Sequence, residues 1–339
     1  SGISVAAGQT INIDGFGSLN PDGSVNTSIN GFYSTRGGFI NNLANINVSD
    51  SVFANNGSKY EGGVFYKNIN SDSADLLTSV LISNSAFLNN HFEQGNGGVL
   101  HNYNSIYVQN ADNTDLLSNL VITNSAFLSN YSALGNGGAI YNNNNFNGLL
   151  DSEFNEEITN SIFDSNYSYY SGGAIYNYNY TNSENFLINT KISNSQFLNN
   201  ISIQSDAGAV YNYSQTQGTN DKSIFEIINT TFDSNKSRSG GGALISNLGT
   251  YGSTSESNAL IINSTFTNNY SEQGAGGAIY SSTNIGGTNN KSTFGIINTT
   301  FDSNHSYWQS GALYAYMSAN GTDGEVTTLI NNSIFSNNY

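Results

Sequence analysis

The chain has 339 residues, only 9% of them charged, and a formal net charge of −16 with eight Lys and Arg residues in total. This charge balance repels nucleic-acid phosphates and anionic lipid surfaces, which argues against nucleic acid as a partner. Without Cys, the chain can form neither disulfides nor thiolate metal sites. No apolar run reaches the length of a membrane helix, so we expect no transmembrane segment.

The first 36 residues contain none of the motifs that fill the rest of the chain. We expect residues 1–36 to form an N-terminal strand or cap segment, with apolar side chains at Ile3, Val5, Ile11 and Ile13. Residues 37–339 then form one repeat array. Because repeat units contact only their neighbours, such an array grows as a single domain in spite of its length.

The motif Asn-Ser/Thr-x-Phe-x-x-Asn, with one Asp in place of its first Asn, occurs nine times at intervals of 34 to 40 residues. Its phenylalanines are Phe53, Phe87, Phe127, Phe163, Phe197, Phe232, Phe266, Phe301 and Phe335. Regular self-similarity over most of a chain is the signature of a repeat architecture.

A β-branched aliphatic residue stands five positions before each Phe, which predicts a second buried row: Val48, Ile82, Ile122, Ile158, Ile192, Ile227, Ile261, Ile296 and Ile330. Positions −5 and 0 face opposite sides of a straight strand, so the chain must bend between them. Asn tolerates the left-handed conformation of such a bend, and we predict corners at the Asn three before and three after each Phe. The later set is Asn56, Asn90, Asn130, Asn166, Asn200, Asn235, Asn269, Asn304 and Asn338.

A Gly-Gly-aliphatic motif follows six of the Phe motifs after a loop of about six residues, as in Gly137-Gly138-Ala139-Ile140, and two further copies are degraded to Ala207-Gly208 and Ser310-Gly311. Its glycines supply positive φ and close backbone approach where a third short strand begins. Three short strands, three bends and one long loop per 35 residues predict an all-β parallel β-helix of about nine rungs.

These motifs resemble the GGA[IVL] and FxxN repeats of the polymorphic outer-membrane proteins of chlamydiae and of similar adhesin-like surface proteins. The resemblance covers residues 37 to 339. It implies a right-handed β-helix displayed at a cell surface, commonly in adhesion. The chain departs from that family in having no C-terminal membrane-barrel segment and no Cys.

Polysaccharide lyases and hydrolases are the enzymatic alternative, because some are β-helices with clustered carboxylates. Asp164, Asp233 and Asp302 share one repeat position, but they stand two rungs apart, about 10 Å in a β-helix. We therefore predict no catalytic site and no cofactor. Acidic segments 72–75, 112–115 and 153–157 leave Ca²⁺ as an alternative, although no known calcium-loop pattern occurs.

Aromatic residues suggest two surfaces. The first follows the Gly-Gly motifs as an outward stripe, for which we predict intramolecular stacking or a lateral or glycan contact: Tyr66, Tyr141, Tyr176, Tyr211, Tyr280 and Tyr314. The second lies in the loops between the two motifs and includes Tyr170, Tyr307 and Trp308. We regard these loops as the better ligand candidates.

The ends of the chain look like complementary halves of one rung, because Gly37-Gly38 has no preceding Phe motif and Phe335 to Tyr339 has no following Gly-Gly. We expect head-to-tail self-association, with Ile3 to Ile13 adding a strand to a neighbouring copy. The sequence thus predicts a non-enzymatic, extracellular or cell-surface structural protein, with a filament subunit favoured. The alternative is an adhesin passenger that binds a surface glycan or protein receptor.

Overall fold

The computed structural model shows a parallel β-solenoid, and it describes residues 3–5, 9–19, 25–36, 40–42, 45–71, 76–108 and 116–339. Within these ranges there is no helix, and four parallel sheets of nine or ten strands run along the coil. The predicted parallel β-helix is therefore confirmed. Its right-handed sense stays a prediction.

Each full turn adds one strand to each sheet, and we name the sheets by their residues. The tyrosine sheet follows the Gly-Gly motifs: Ile3–Val5, Ile40–Asn42, Phe65–Ser71, Leu100–Tyr107, Ile140–Leu150, Ile175–Glu184, Val210–Thr216, Leu244–Thr250, Ile279–Ile285 and Leu313–Ala319. The isoleucine sheet comes next: Thr10–Asp14, Asn45–Ser49, Leu76–Ser83, Leu116–Thr123, Glu153–Thr159, Leu187–Ser193, Lys222–Ile228, Glu256–Ile262, Lys291–Ile297 and Glu325–Asn331.

The phenylalanine sheet follows: Ile29–Asn30, Val52–Ala54, Ala86–Leu88, Ala126–Leu128, Ile162–Asp164, Gln196–Leu198, Thr231–Asp233, Thr265–Thr267, Thr300–Asp302 and Ile334–Ser336. The short sheet closes the turn: Tyr33–Arg36, Gly57–Glu61, His91–Phe92, Tyr131–Ser132, Tyr167–Ser168, Ile201–Ser202, Lys236–Ser237, Tyr270–Ser271 and His305–Ser306. A small antiparallel pair, Ser18–Leu19 with Val25–Thr27, lies outside these sheets.

The repeat phenylalanines form a continuous stack inside the coil. Phe163 pairs in register with Phe197, which pairs with Phe232, and the ring centroids lie 4.9 Å apart at both steps. The rings are within 7° of parallel and fully buried. A second buried row runs beside them through Ile122, Ile158 and Ile192. Both rows contribute to one hydrophobic core that follows the axis of the coil.

The Asn three after each Phe forms a buried amide ladder. The Nδ2 atom of Asn166 donates to Oδ1 of Asn200, at 3.0 Å, and to the carbonyl of Phe127, at 2.9 Å. The backbone N–H of Asn166 donates to the same Oδ1 at 3.0 Å. Asn130 and Asn200 repeat this pattern, so the ladder satisfies polar groups that burial would otherwise leave unpaired.

The corner predicted at the later Asn was wrong by one position. The residue before it adopts the left-handed conformation, with φ of 57° at Ser165 and 53° at Asn199, while Asn166 and Asn200 point inward. The earlier corner is confirmed, as at Asn160 with φ of 51°. The Ser or Thr after that corner is a further ladder: Ser161 accepts from a backbone N–H of the preceding turn and donates to Thr159 O at 2.9 Å.

The two glycines of each Gly-Gly motif have different tasks. Gly172 has φ of 69°, a conformation that side chains other than Gly rarely adopt. Gly173 lies so close to the next turn that a Cβ there would stand 1.9 Å from the carbonyl oxygen of Gly208. The Gly-Gly of residues 37 and 38 lies outside the described part of the chain.

The structure differs from the predicted repeat in two ways. Each turn has four strands, because the loop between the motifs contains a two-residue strand such as Tyr131–Ser132, whose Ser132 is buried. The coil also starts before residue 37, since Ile3–Val5 and Thr10–Asp14 pair with strands of their own chain, for example Ile11 with Ile46. Ile3–Val5 and Thr10–Asp14 thus pair within their own coil, and the donation of a strand to a neighbouring copy stays a prediction.

Candidate functional site

The outward face of the tyrosine sheet carries two rows of aromatic side chains. The first row directly follows the inward aliphatic position and reads Tyr66, His101, Tyr141, Tyr176, Tyr211, Ile245, Tyr280 and Tyr314. The second lies two residues further and includes Tyr103, Tyr178, Tyr213 and Tyr316. Alternation along a strand places both rows on the same face.

Ring stacking runs through most of the first row and joins two tyrosines of the second. Tyr176 lies 5.3 Å from Tyr141 and 4.8 Å from Tyr211, with interplanar angles of 8° and 5°. Tyr178 and Tyr213 stack at 4.8 Å and 1°. Burial raises the pKa of the Tyr176 hydroxyl, and it raises that of Tyr213 to about 12. Both phenols therefore stay neutral hydrogen-bond donors at physiological pH.

Both rows are interrupted on the turn that carries Ile245 and Asn247. Ile245 replaces a tyrosine between Tyr211 and Tyr280, and Asn247 follows Tyr213 in register. A groove of about 570 Å³ opens at this interruption, and we call it the first groove. Its lining includes Tyr213, Tyr251, Tyr280, Asn247, Ser282 and Asn284.

The Tyr251 side of the first groove packs against two glycines. The ring of Tyr251 lies against Gly249 and Gly286, where an added Cβ would stand 2.8 Å and 2.9 Å from ring atoms. Tyr251 keeps 43% of its surface exposed. One side of the first groove is thus an aromatic ring that packs against two glycines on consecutive turns.

The first groove is polar but almost uncharged. Asp206 is the one ionisable carboxylate in its lining, which contains no Lys, Arg or His. Burial raises the pKa of Asp206, while its Oδ1 accepts a 2.9 Å hydrogen bond from the backbone N–H of Gly240. Oδ1 of Asn247 is buried without a hydrogen-bond partner, and its Nδ2 lies 3.4 Å from the Tyr211 hydroxyl.

A second groove, of about 390 Å³, opens on the same face nearer the N-terminus. Tyr66, Tyr103 and Tyr141 line it together with Asn68 and Asn70. His101 also belongs to its lining and fills a tyrosine position in the first row, 4.8 Å from the Tyr141 ring. Both grooves are therefore built from tyrosine rings and asparagine amides.

The loop aromatics lie on a different face, beside the short sheet. Tyr170 is 48% exposed and meets Tyr169 edge to face at 5.0 Å. Tyr307 and Trp308 are 71% and 72% exposed and line a depression of about 490 Å³ with Tyr270. Tyr170, Tyr307 and Trp308 line neither groove of the tyrosine sheet.

The predicted assembly residues lie in the terminal turns at the two ends of the coil. Ile13 is buried in the isoleucine sheet and Ile11 packs beside the core. The strand that holds Ile3 and Val5 pairs with Ile40–Asn42. At the other end, Phe335 stacks on Phe301 at 4.7 Å, and Tyr339 lies 4.5 Å from the ring of His305.

The aspartates that follow the repeat phenylalanines bond to neighbouring turns. Asp164 accepts from Nδ2 of the corner Asn199 at 3.0 Å, and Asp233 accepts from Asn268 at 2.9 Å. Asp302 does the same for Asn337, and hydrogen bonds lower its pKa. In the described residues, no three His, Asp or Glu side chains lie close enough together to hold a metal ion. Acidic segments 72–75 and 112–115 lie outside those residues.

Two sets of residues were not predicted from the sequence. One is the first groove, which aligning the repeats would have shown, because Ile245 and Asn247 break two tyrosine rows. The other is a pair of buried charges, Lys67 and Glu156, inside the coil. Burial lowers the pKa of Lys67 to about 7 and raises that of Glu156 to about 7. Side chains alternate along a strand between the inside and the outside of the coil, and this alternation could have indicated that Lys67 and Glu156 point inward.

Comparison with known proteins supports the repeat assignment. Residues 160–178 and 263–282 match the family model of the Chlamydia polymorphic membrane protein repeat. Each stretch runs from the corner Asn through Phe163 or Phe266 to just beyond the Gly-Gly motif. No curated protein and no solved structure matches the chain. The resemblance to this family is confirmed at these two repeats. The described part of the chain also contains no helix with the length and hydropathy of a membrane span.

Proposed function

We propose that this chain is a non-enzymatic, adhesin-like protein of the cell surface, and that the outward face of its tyrosine sheet binds a surface glycan or protein receptor. The observation that carries the proposal is that two grooves of similar chemistry open on this one face. The repeat family matched at residues 160–178 and 263–282 implies an outer-membrane or cell-surface location.

The rod-like build suits such a role. Stacked turns hold the two grooves on one rigid face, separated along the axis by about four strand spacings, or roughly 19 Å. Asn68, Asn70, Asn247 and Asn284 give this face hydrogen-bonding amides. An extended ligand that contacts both grooves would gain affinity without a deep pocket.

The non-enzymatic part of the proposal is supported by the use of the carboxylates. Acid–base hydrolysis needs two carboxyl groups facing one substrate. Asp164, Asp233 and Asp302 instead accept hydrogen bonds from corner residues of the next turn. Asp206 is the one carboxylate in the first groove.

Two assays on the purified protein test this function. Beads coated with residues 1–339 should adhere to cells or to an extracellular polysaccharide film, and soluble protein should compete. The same protein should release no reducing ends or unsaturated products from a polysaccharide panel. Beads that adhere no better than albumin-coated beads would refute the adhesive function. Product release that disappears in a single Asp variant would refute the non-enzymatic role.

Head-to-tail assembly into a filament is a second proposal, which comes from the sequence and which no contact in the structure tests. Sedimentation velocity over a range of micromolar concentrations addresses it directly. Assembly predicts species that lengthen with concentration. A single monomer boundary at every concentration would refute it.

A further inference from the structure

We propose that the first groove is a binding subsite for a neutral oligosaccharide, held between the rings of Tyr213 and Tyr251. This inference rests on the proposed adhesive function and names its ligand class. It goes beyond a general adhesive face because it selects one place on the rod, the turn on which both rows lack a tyrosine at Ile245 and Asn247.

The interruption leaves one ring face without an aromatic neighbour. Tyr178 covers one side of the Tyr213 ring at 4.8 Å. On the other side the next turn offers only Asn247, whose side chain is too short to cover a phenol ring. In the first row, by contrast, Tyr176 has rings on both of its faces. Tyr213 therefore presents an apolar platform toward the first groove.

The lining of the first groove includes a second ring, that of Tyr251. Tyr251 is 43% exposed and seated on Gly249 and Gly286, so bare backbone fixes its position. Sugar rings carry C–H groups on their faces and hydroxyls around their edges. A lining that combines aromatic rings with polar groups matches that distribution, since an aromatic ring is apolar on its face.

Amides and a hydroxyl belong to the same lining, from Asn247, Asn284 and Ser282. Asn247 lines the first groove and its buried Oδ1 has no hydrogen-bond partner within the protein, so a ligand hydroxyl that reaches this atom would satisfy it. Nδ2 of Asn284 donates to Oγ of Ser282 at 3.2 Å, so both side chains are already oriented. Such groups fix the orientation of a ligand in a concave site.

The charge and the volume of the first groove restrict the class of ligand that it can bind. The first groove contains Asp206 and no basic residue, so an acidic polysaccharide or a phosphorylated ligand would be repelled. Its volume of about 570 Å³ lies in the range of about 300–1,000 Å³ that small-ligand sites occupy. A Pro-rich peptide also binds between aromatic rings, but it has few donors to offer the acceptor on Asn247.

The test is binding of the whole protein to an array of neutral and acidic oligosaccharides and one Pro-rich peptide, followed by calorimetry on the best ligand. Tyr251→Ala and Asn247→Ala are the test variants. Tyr170→Ala is the matched control, because Tyr170 is 48% exposed on another face. Circular dichroism at 218 nm and the melting temperature check that each variant folds.

We expect a neutral oligosaccharide to bind, with at least tenfold weaker affinity in Tyr251→Ala and Asn247→Ala and unchanged affinity in Tyr170→Ala. Selection of acidic glycans, selection of the peptide, or equal losses in test and control variants would each overturn the inference. If coated beads adhere but no neutral glycan binds, the adhesive function survives and the subsite fails. If glycan binds at the first groove but beads do not adhere, the adhesive function fails instead.

Discussion

Lys67 and Glu156 lie buried inside the coil at two ends of a set of asparagine amides that share one orientation. Nζ of Lys67 donates to Oδ1 of Asn102 at 3.1 Å, and Nδ2 of Asn102 donates to Oδ1 of Asn142 at 2.7 Å. Asn142 lies beside the carboxylate of Glu156, which accepts from Nδ2 of Asn177 at 2.6 Å. Oxygens thus face the ammonium and NH₂ groups face the carboxylate. The aligned amide dipoles compensate two charges that would otherwise be costly to bury.

The raised pKa of Glu156 predicts a pH dependence of stability. Its folded pKa of about 7 exceeds the ordinary value of 4.5, chiefly because burial disfavours the charge. The resulting stabilisation is present below pH 4.5 and is lost as the pH rises through 7. We expect Glu156→Gln to match the native protein at low pH and to exceed its free energy of unfolding at pH 8 by at most about 3 kcal/mol.

Urea unfolding at pH 4.5, 6 and 8 measures this difference. Lys67, the buried cation that faces Glu156 through the amides, is present in both proteins. Glu157→Gln is the control, since Glu157 is exposed on the outer side of the same strand. Parallel pH profiles for the native protein and Glu156→Gln would contradict the prediction.

The phenylalanine stack predicts a large stability difference between two identical substitutions. Phe197→Ala removes a fully buried ring with neighbours at 4.9 Å on both sides and should cost about 3–5 kcal/mol. Phe335→Ala removes a ring that is 44% exposed and stacks on one side only, so we expect less than half of that loss. Chemical denaturation compares the two variants. Equal losses of stability in the two variants would contradict the predicted difference.

The amide ladder predicts a large loss of stability for one substitution and a small change for the same substitution at the adjacent asparagine. Asn200→Gly leaves the N–H and amide groups of Asn166 without their acceptor inside the core, and each unsatisfied group costs about 1–3 kcal/mol. Asn199→Gly places the most permissive residue at a φ of 53° and should change stability by about 0.5 kcal/mol or less. Thermal melts of the pair test this. A larger loss for Asn199→Gly would reverse the roles we assign.

Close packing of the turns predicts that Gly173→Ala prevents the native stacking, because its Cβ would meet the Gly208 carbonyl oxygen at 1.9 Å. Gly295→Ala is the matched control. There the Cβ meets only the side-chain end of Leu260, at 2.7 Å, which can rotate away. We expect Gly173→Ala to be insoluble or to melt well below the native protein and Gly295→Ala to stay folded. Similar melting temperatures would contradict this account.

Much of the core could be predicted from the sequence because the solenoid brings equivalent positions together. Phe127 and Phe163 are 36 residues apart in the chain but stack at 4.7 Å. The position of the second corner could not be read in this way. Asn suits both a left-handed corner and a buried amide ladder, and its residue type alone does not distinguish Asn199 from Asn200.

The first groove was harder to predict because it arises from an exception to the repeat. Periodicity points to the residues that recur, such as Tyr176 and Tyr211, and these stack on one another. The binding surface instead depends on Ile245 and Asn247, which depart from the pattern. Tyr251 joins them only because the chain folds it over Gly249 and Gly286.

The claim that the tyrosine sheet is the adhesive face can be tested by blocking single positions with a bulky label. The chain has no Cys, so one introduced Cys directs a maleimide polyethylene glycol to one place. Ser282→Cys puts the label in the first groove, and Gln196→Cys puts it on the exposed side of the phenylalanine sheet. Adhesion of coated beads should be lost on labelling Ser282→Cys and kept on labelling Gln196→Cys. Full adhesion with label at Ser282→Cys, or equal loss at both positions, would contradict the account.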